Sequence, residues 1–245
     1  MSPDAACQLS IQLAAEFYRM MSAKMKGDRG APGPGQGLAW ATGEAGSTAG
    51  FRGGRVERIR TATNESREFV RLVASGEGMK NPKKLGAALQ AAAIAHAKAK
   101  GGAMTGRGCD RHLYVLKTLV ADGAIEGLTE EETEGARALF ESETLATFDK
   151  ILLSTSTLNN PAMRAMAFQP GSAQAFGVTY TTKPASMIFF ISTSADAGAA
   201  AERKRAGFAK CLAKGLETMG KILNGAKAMA EARAAGKGKA GGKGR

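Results

Sequence analysis

The chain has 245 residues, 44% of them hydrophobic, and a net charge of +12, enough for one large domain or two small ones around a core. No apolar run reaches the roughly 18 residues that a membrane span requires. Three scattered cysteines (Cys7, Cys109, Cys211) argue against a disulfide framework, and two histidines (His96, His112) outside any ligand cluster argue against a zinc site.

In chain order, "MSPDAACQLSIQLAAEFYRMM" reads as a helix from its start, without the pattern of a signal or transit peptide. Ser2 suits the N-cap, Pro3 the first turn and Asp4 the positive helix end. Leu9, Leu13, Phe17 and Met20 or Met21 make one apolar face. Residues 26–54 are Gly- and Pro-rich and must be loop or extended chain, with the densest part at 26–38. "RVERIR" is a short strand or turn, and Thr63 or Asn64 caps the helix that follows. "NPKKLGAALQAAAIAHAKAK" and "CDRHLYVLKTLVADG" are predicted helices. "LTEEETEGARALFES" is a third, with Thr129 and Glu132 as a capping box.

Next comes "KILLSTSTLNNPAM", residues 150–163, where Ser154, Thr155, Ser156 and Thr157 follow an apolar run and precede Asn159, Asn160 and Pro161. Taken alone it is a polar strand end or a row of hydroxyls placed for chemistry. "AFGVTYTT" and "MIFFISTS" are predicted strands, and a long final helix, or two, begins near Gly198. The organisation expected is one domain over residues 1–224 and a basic Gly/Lys-rich tail over 225–245, disordered at its end. Most of the basic excess reads as a solvated tail and helix surfaces, with no nucleic-acid signature; a surface for an anionic small molecule is the alternative.

Five motifs stand in order: Ser-Pro-Asp-Ala with "IQLA", Gly-Arg-Val-x-x-Ile-Arg-x-Ala, Asp-Arg-His-Leu, Leu-Ser-Thr-Ser and "FGVTY". Together they resemble the second half of the choline/carnitine acyltransferase family, over roughly residues 2–224. The resemblance implies an α/β fold with a mixed β-sheet flanked by helices, of the coenzyme A-dependent, chloramphenicol acetyltransferase-like type. It implies acyl transfer between coenzyme A and carnitine, with choline or another amino alcohol as alternative acceptor. It also implies a mitochondrial or peroxisomal setting, coenzyme A as co-substrate rather than permanent cofactor, and no nucleic acid or membrane span.

On that resemblance Ser156 would donate to the tetrahedral oxyanion, since a hydroxyl is a rotatable donor without charge. Ser154 and Thr155 would face the acceptor. Arg111 would pair with the carnitine carboxylate, which favours carnitine over choline. Val56 stands where carnitine users carry a Thr, and Phe168 would lie near the trimethylammonium group, or serve as a core aromatic. Asp4, Glu44 and Ser47 are the weaker candidates for coenzyme A contacts. His112 is structural.

Several positions depart from the family pattern. Gly43 replaces a carboxylate-binding Tyr, Arg58 is unusual, "LAAEFYR" is two residues longer than its counterpart, and the 26–38 loop is extended. The family's general base, a His in a His-x-x-x-Asp-Gly motif, has no match in this chain. The chain then forms one wall of a site completed by a separate N-terminal half, or is a fragment, or a non-catalytic remnant that binds acyl-CoA.

Overall fold

The computed structural model describes residues 1–36, 40–158, 160, 162–194 and 198–240; of residues 229, 230 and 232–240 it describes the backbone. Asn159 and Pro161, the last of the tail (241–245) and part of the predicted 26–38 loop lie outside the described residues.

Helix α1 (Pro3–Lys26) starts as its sequence signals dictate: Ser2 Oγ accepts the Ala5 N–H at 3.1 Å, and Gly27 ends the helix at φ 65°. Strands β1 (Thr42–Ser47) and β2 (Val56–Arg60) follow, then α2 (Asn64–Ala74), the single turn α3 (Glu77–Lys80) and α4 (Pro82–Met104). Thr63 and Ser66 form a reciprocal cap on α2, so Thr63 is the capping residue of the two candidates. Helices α5 (Asp110–Ala121), α6 (Glu130–Glu141) and α7 (Glu143–Asp149) lead into β3 (Leu153–Thr157). The capping box of Thr129 and Glu132 is present on α6. Strands β4 (Phe176–Lys183) and β5 (Ser186–Ser192) precede α8 (Gly198–Ala240), which continues unbroken past the tail boundary expected at 225.

The five strands form one mixed sheet in the order β2-β1-β3-β4-β5, parallel at β1/β3 and β3/β4 and antiparallel at both outer pairs. The mixed sheet flanked by helices matches the fold class expected. Strand β1 is the surprise. Its sequence, Thr-Gly-Glu-Ala-Gly-Ser, is poor in strand formers and fell inside the segment expected to be loop or extended chain. It is a strand because β2 and β3 pair with it from both sides.

Strand alternation sorts the sheet into two faces. One face carries Thr42, Glu44, Ile59, Leu153, Thr155, Phe176, Val178 and Tyr180, all buried. Leu153, Phe176, Val178 and Tyr180 pack with Cys7, Ile11 and Ala15 of α1 and Phe208, Cys211 and Leu212 of α8. A second core holds Leu9 and Leu13 of α1, Phe69 and Leu72 of α2, Leu85 and Leu89 of α4 and Met219 of α8. The crossing of α1 and α8 is close: a Cβ at Gly215 would stand 2.6 Å from the Ser10 carbonyl oxygen.

The end of α1 and the loop that follows it are joined by hydrogen bonds. Glu16 Oε1 accepts the Gly35 N–H at 2.7 Å, and Arg19 donates to the carbonyls of Pro32 and Gly33 at 2.9 and 3.0 Å.

Candidate active site

The opposite face of the sheet carries the partners of the alternation: Gly43, Ala45 and Ser47 of β1, Val56, Arg58 and Arg60 of β2, Ser154 and Ser156 of β3. Helix α5 approaches this face through its first turn. Glu57 Oε1 accepts the Arg111 N–H at 3.2 Å, and Arg111 Nε donates to the Val56 carbonyl at 2.7 Å. From the other side the segment 166–168 crosses the sheet, with Ser192 Oγ donating to the Phe168 carbonyl and Thr179 Oγ1 to that of Met166.

Between them lies a cavity of about 270 Å³ lined by Val56, Arg58, Arg111, Ser154, Ser156, Met166 and Phe168, with Glu44, Glu57 and Thr155 in its floor. Six residues predicted from sequence, Val56, Arg111, Ser154, Thr155, Ser156 and Phe168, thus meet at one place although they span more than 110 positions. A second cavity of about 290 Å³ lies alongside and shares Arg58 and Arg111 with it.

Two expectations need correction. Thr155 does not face the acceptor side with Ser154. It is 1% exposed, accepts a bond from Gln8 Nε2 at 3.0 Å and lies 3.3 Å from the Gly43 carbonyl. Adjacent strand residues point to opposite faces, so Ser154 and Ser156 share the cavity and Thr155 is turned to α1. Glu44, expected at coenzyme A, is likewise on the covered face, with a carboxylate that is 1% exposed. Ser47 lies at the far end of β1, where its Oγ accepts the Ala49 N–H at 3.3 Å, and it does not join Asp4 and Glu44.

Behind the sheet, sequence reasoning missed a buried polar network. His96 Nε2 stands 2.7 Å from Glu44 Oε2. The Lys100 ammonium reaches Glu44 Oε1 at 3.4 Å and also binds Asp4, which accepts from the Tyr180 hydroxyl. Gln8 Nε2 donates to both Tyr180 (3.1 Å) and Thr155 (3.0 Å). The signal was present in part: His96 and Lys100 are four apart on α4, one turn of the same face.

Asp4, Glu44 and His96 have the ligand atoms of a metal site within reach of one another. Lys100 sits between the two carboxylates, and its ammonium already occupies the place a cation would take and offsets part of their charge. Burial works to raise the Asp4 carboxyl, but the bonds from Lys100 and Tyr180 outweigh it and hold the group below its ordinary value. Burial pushes the Tyr180 hydroxyl far above its ordinary value, with the charges of Glu44 and Asp4 adding to it. These groups brace α1 and α4 against β1, β3 and β4.

The family model for Choline/Carnitine o-acyltransferase matches residues 1–214. The chain belongs to this family. It is 31% identical over 180 residues to mitochondrial carnitine O-palmitoyltransferase 2 of Xenopus tropicalis, covering 74% of this chain and 23% of that protein. It is 30% identical over 193 residues to choline O-acetyltransferase of Sus scrofa, covering 78% and 26%. To the Homo sapiens mitochondrial carnitine O-palmitoyltransferase 2 it is 28% identical over 225 residues, covering 92% and 29%. The chain spans about a quarter of the length of these curated relatives. Family membership brings the coenzyme A-dependent acyltransferase fold, and the mixed sheet agrees with it. No described helix is long and apolar enough to cross a membrane.

Proposed function

We propose that this chain supplies the acceptor side of an acyl-transfer site working between coenzyme A and carnitine. The observation that carries this reading is the convergence of Val56, Arg111, Ser154, Ser156 and Phe168 on one cavity. In the reaction the alcohol oxygen attacks the thioester carbonyl carbon, negative charge collects on the carbonyl oxygen, and the thiolate leaves with a proton. Ser156, on the cavity face at the end of β3, donates to that oxyanion. The Arg111 guanidinium, held through Nε by the Val56 carbonyl, leaves its terminal nitrogens for the acceptor carboxylate, with Ser154 beside it. Phe168 offers an aromatic surface to the quaternary ammonium. Val56 adds no hydroxyl, which leaves the carboxylate to Arg111 and the serines.

The base that moves the alcohol proton comes, on this proposal, from a His in the part of the relatives' length that this chain does not span, closing the open face of the sheet. His96 is sealed against Glu44 on the other face, and His112 is exposed on α5. That placement also favours a second reading, in which the domain binds acyl-CoA without turning it over. The relatives named mitochondrial make mitochondria the proposed location, with acyl-CoA and carnitine the proposed substrates.

The test is acyl transfer from acyl-CoA to carnitine by the purified chain, with and without a relative's N-terminal half. Transfer only in the mixture supports the catalytic reading. Coenzyme A binding without transfer in either case supports the second. Robust turnover by the chain alone would overturn the assignment of the base.

A further inference from the structure

The acceptor reading leaves one cationic residue of the cavity without a role. Resting on that reading, we infer that Arg58 is a second carboxylate-binding residue, working beside Arg111, and that the absence of a side chain at Gly43 is what allows it to reach. Arg58 is opposite Ala45 on β1 and leans diagonally across Gly43. A Cβ at position 43 would stand 3.0 Å from Arg58 Cδ, 3.1 Å from Cγ and 3.5 Å from Nε. The register neighbour of Gly43 on β3 is Ser154, so the Arg58 stem runs over the backbone toward the serine pair.

The charge around Arg58 is unbalanced. Asp110 is the nearest carboxylate, but Arg60 holds it with both Nε, at 3.1 Å, and Nη2. Arg58 Nη1 stands 3.8 Å from the same oxygen, beyond hydrogen-bond range, and its side chain is 36% exposed. The carboxylates of the two acidic residues that line the cavity floor are engaged elsewhere. Glu57 accepts the backbone N–H groups of Arg58 (2.7 Å) and Arg111 (3.2 Å), and Glu44 faces His96 and Lys100 across the sheet. Among the described residues, no carboxylate stands within hydrogen-bond range of either guanidinium bordering the cavity. Two planar donor forks with a serine hydroxyl beside them suit a planar oxyanion. A neutral or purely cationic acceptor would leave both guanidiniums without a hydrogen-bonded anion.

The experiment is calorimetric titration of the full protein with carnitine and, as the control without a carboxylate, with choline. Arg58→Gln is expected to weaken carnitine by roughly tenfold or more and to leave choline unchanged. Gly43→Leu, which crowds the Arg58 stem, is expected to reproduce that pattern, and Arg58→Lys to fall between because it keeps the charge and loses the fork. Thermal denaturation shows whether each variant is folded. Carnitine binding that falls in Arg111→Gln but not in Arg58→Gln overturns the role given to Arg58 alone. Equal losses for carnitine and choline make Arg58 structural and overturn it as well. No carnitine binding by the wild-type protein overturns the acceptor reading itself, and this inference with it.

Discussion

His96 Nε2 lies 2.7 Å from Glu44 Oε2, and neither side chain is more than 5% exposed. The two residues are 52 positions apart, and their contact ties α4 to strand β1, between β2 and β3 in the sheet. Removing one partner of a buried pair leaves the other polar group enclosed without compensation. His96→Ala is expected to destabilise the domain by about 3 kcal/mol, and His96→Gln by less because it keeps a donor. Urea unfolding measures both. A cost below about 1 kcal/mol for His96→Ala would show that Lys100 alone balances Glu44.

Ser156 and Thr155 are neighbours with opposite duties. In a turnover-competent preparation, Ser156→Ala is expected to lower kcat by about 10²–10³-fold, the usual cost of one oxyanion donor, with stability nearly unchanged. Thr155→Ala removes the acceptor of the Gln8 bond and leaves a buried amide short of a partner. It should cost about 1–3 kcal/mol of stability with a much smaller effect on kcat. Measuring kcat and the unfolding midpoint for both variants separates the roles. A reversed pattern would mean that Thr155, not Ser156, meets the reacting carbonyl.

The Asp4 carboxyl is held below its ordinary value by Lys100 and Tyr180, against the opposing effect of burial. A depressed acid contributes stability above its unfolded pKa of about 4, and that contribution is lost as pH falls through the lower folded value. Lys100 has the opposite sign: its value is raised by Asp4 and Glu44 against burial, so its contribution is lost only at strongly alkaline pH. Stability should therefore be flat near neutrality and fall below about pH 4. Asp4→Asn should flatten the acid limb of a plot of unfolding midpoint against pH. An acid limb identical to wild type would assign the loss to other carboxylates.

Burial pushes the Cys7 thiol up to about 12, with the charge of Asp4 adding to it, and burial also raises Cys211. Cys109 is exposed at the start of α5. Because the thiolate is the reactive form, iodoacetamide at pH 8 should label Cys109 quickly and the other two only on unfolding. Peptide mass spectrometry reads the order. Rapid labelling of Cys7 in the folded protein would mean that α1 parts readily from the sheet.

Much of the architecture was legible in the sequence because its signals are local. Ser2 with Pro3, Thr63, and Thr129 with Glu132 start helices α1, α2 and α6 by bonds that span only three residues. The apolar and β-branched runs at 153–157, 176–183 and 186–192 carry their strand character within themselves. The residues of the cavity were legible as an ordered set of motifs, without their mutual geometry. Strand β1 was not legible, because its Gly, Ala and Glu gain strand geometry only from β2 and β3 on either side. Which of Ser154 and Thr155 is turned to the cavity, the passage of Arg58 over Gly43 and the closure of Glu44 by His96 were decided by the tertiary structure alone. Each depends on strand register and helix placement between segments far apart in the chain, and a local pattern holds no record of its distant partner.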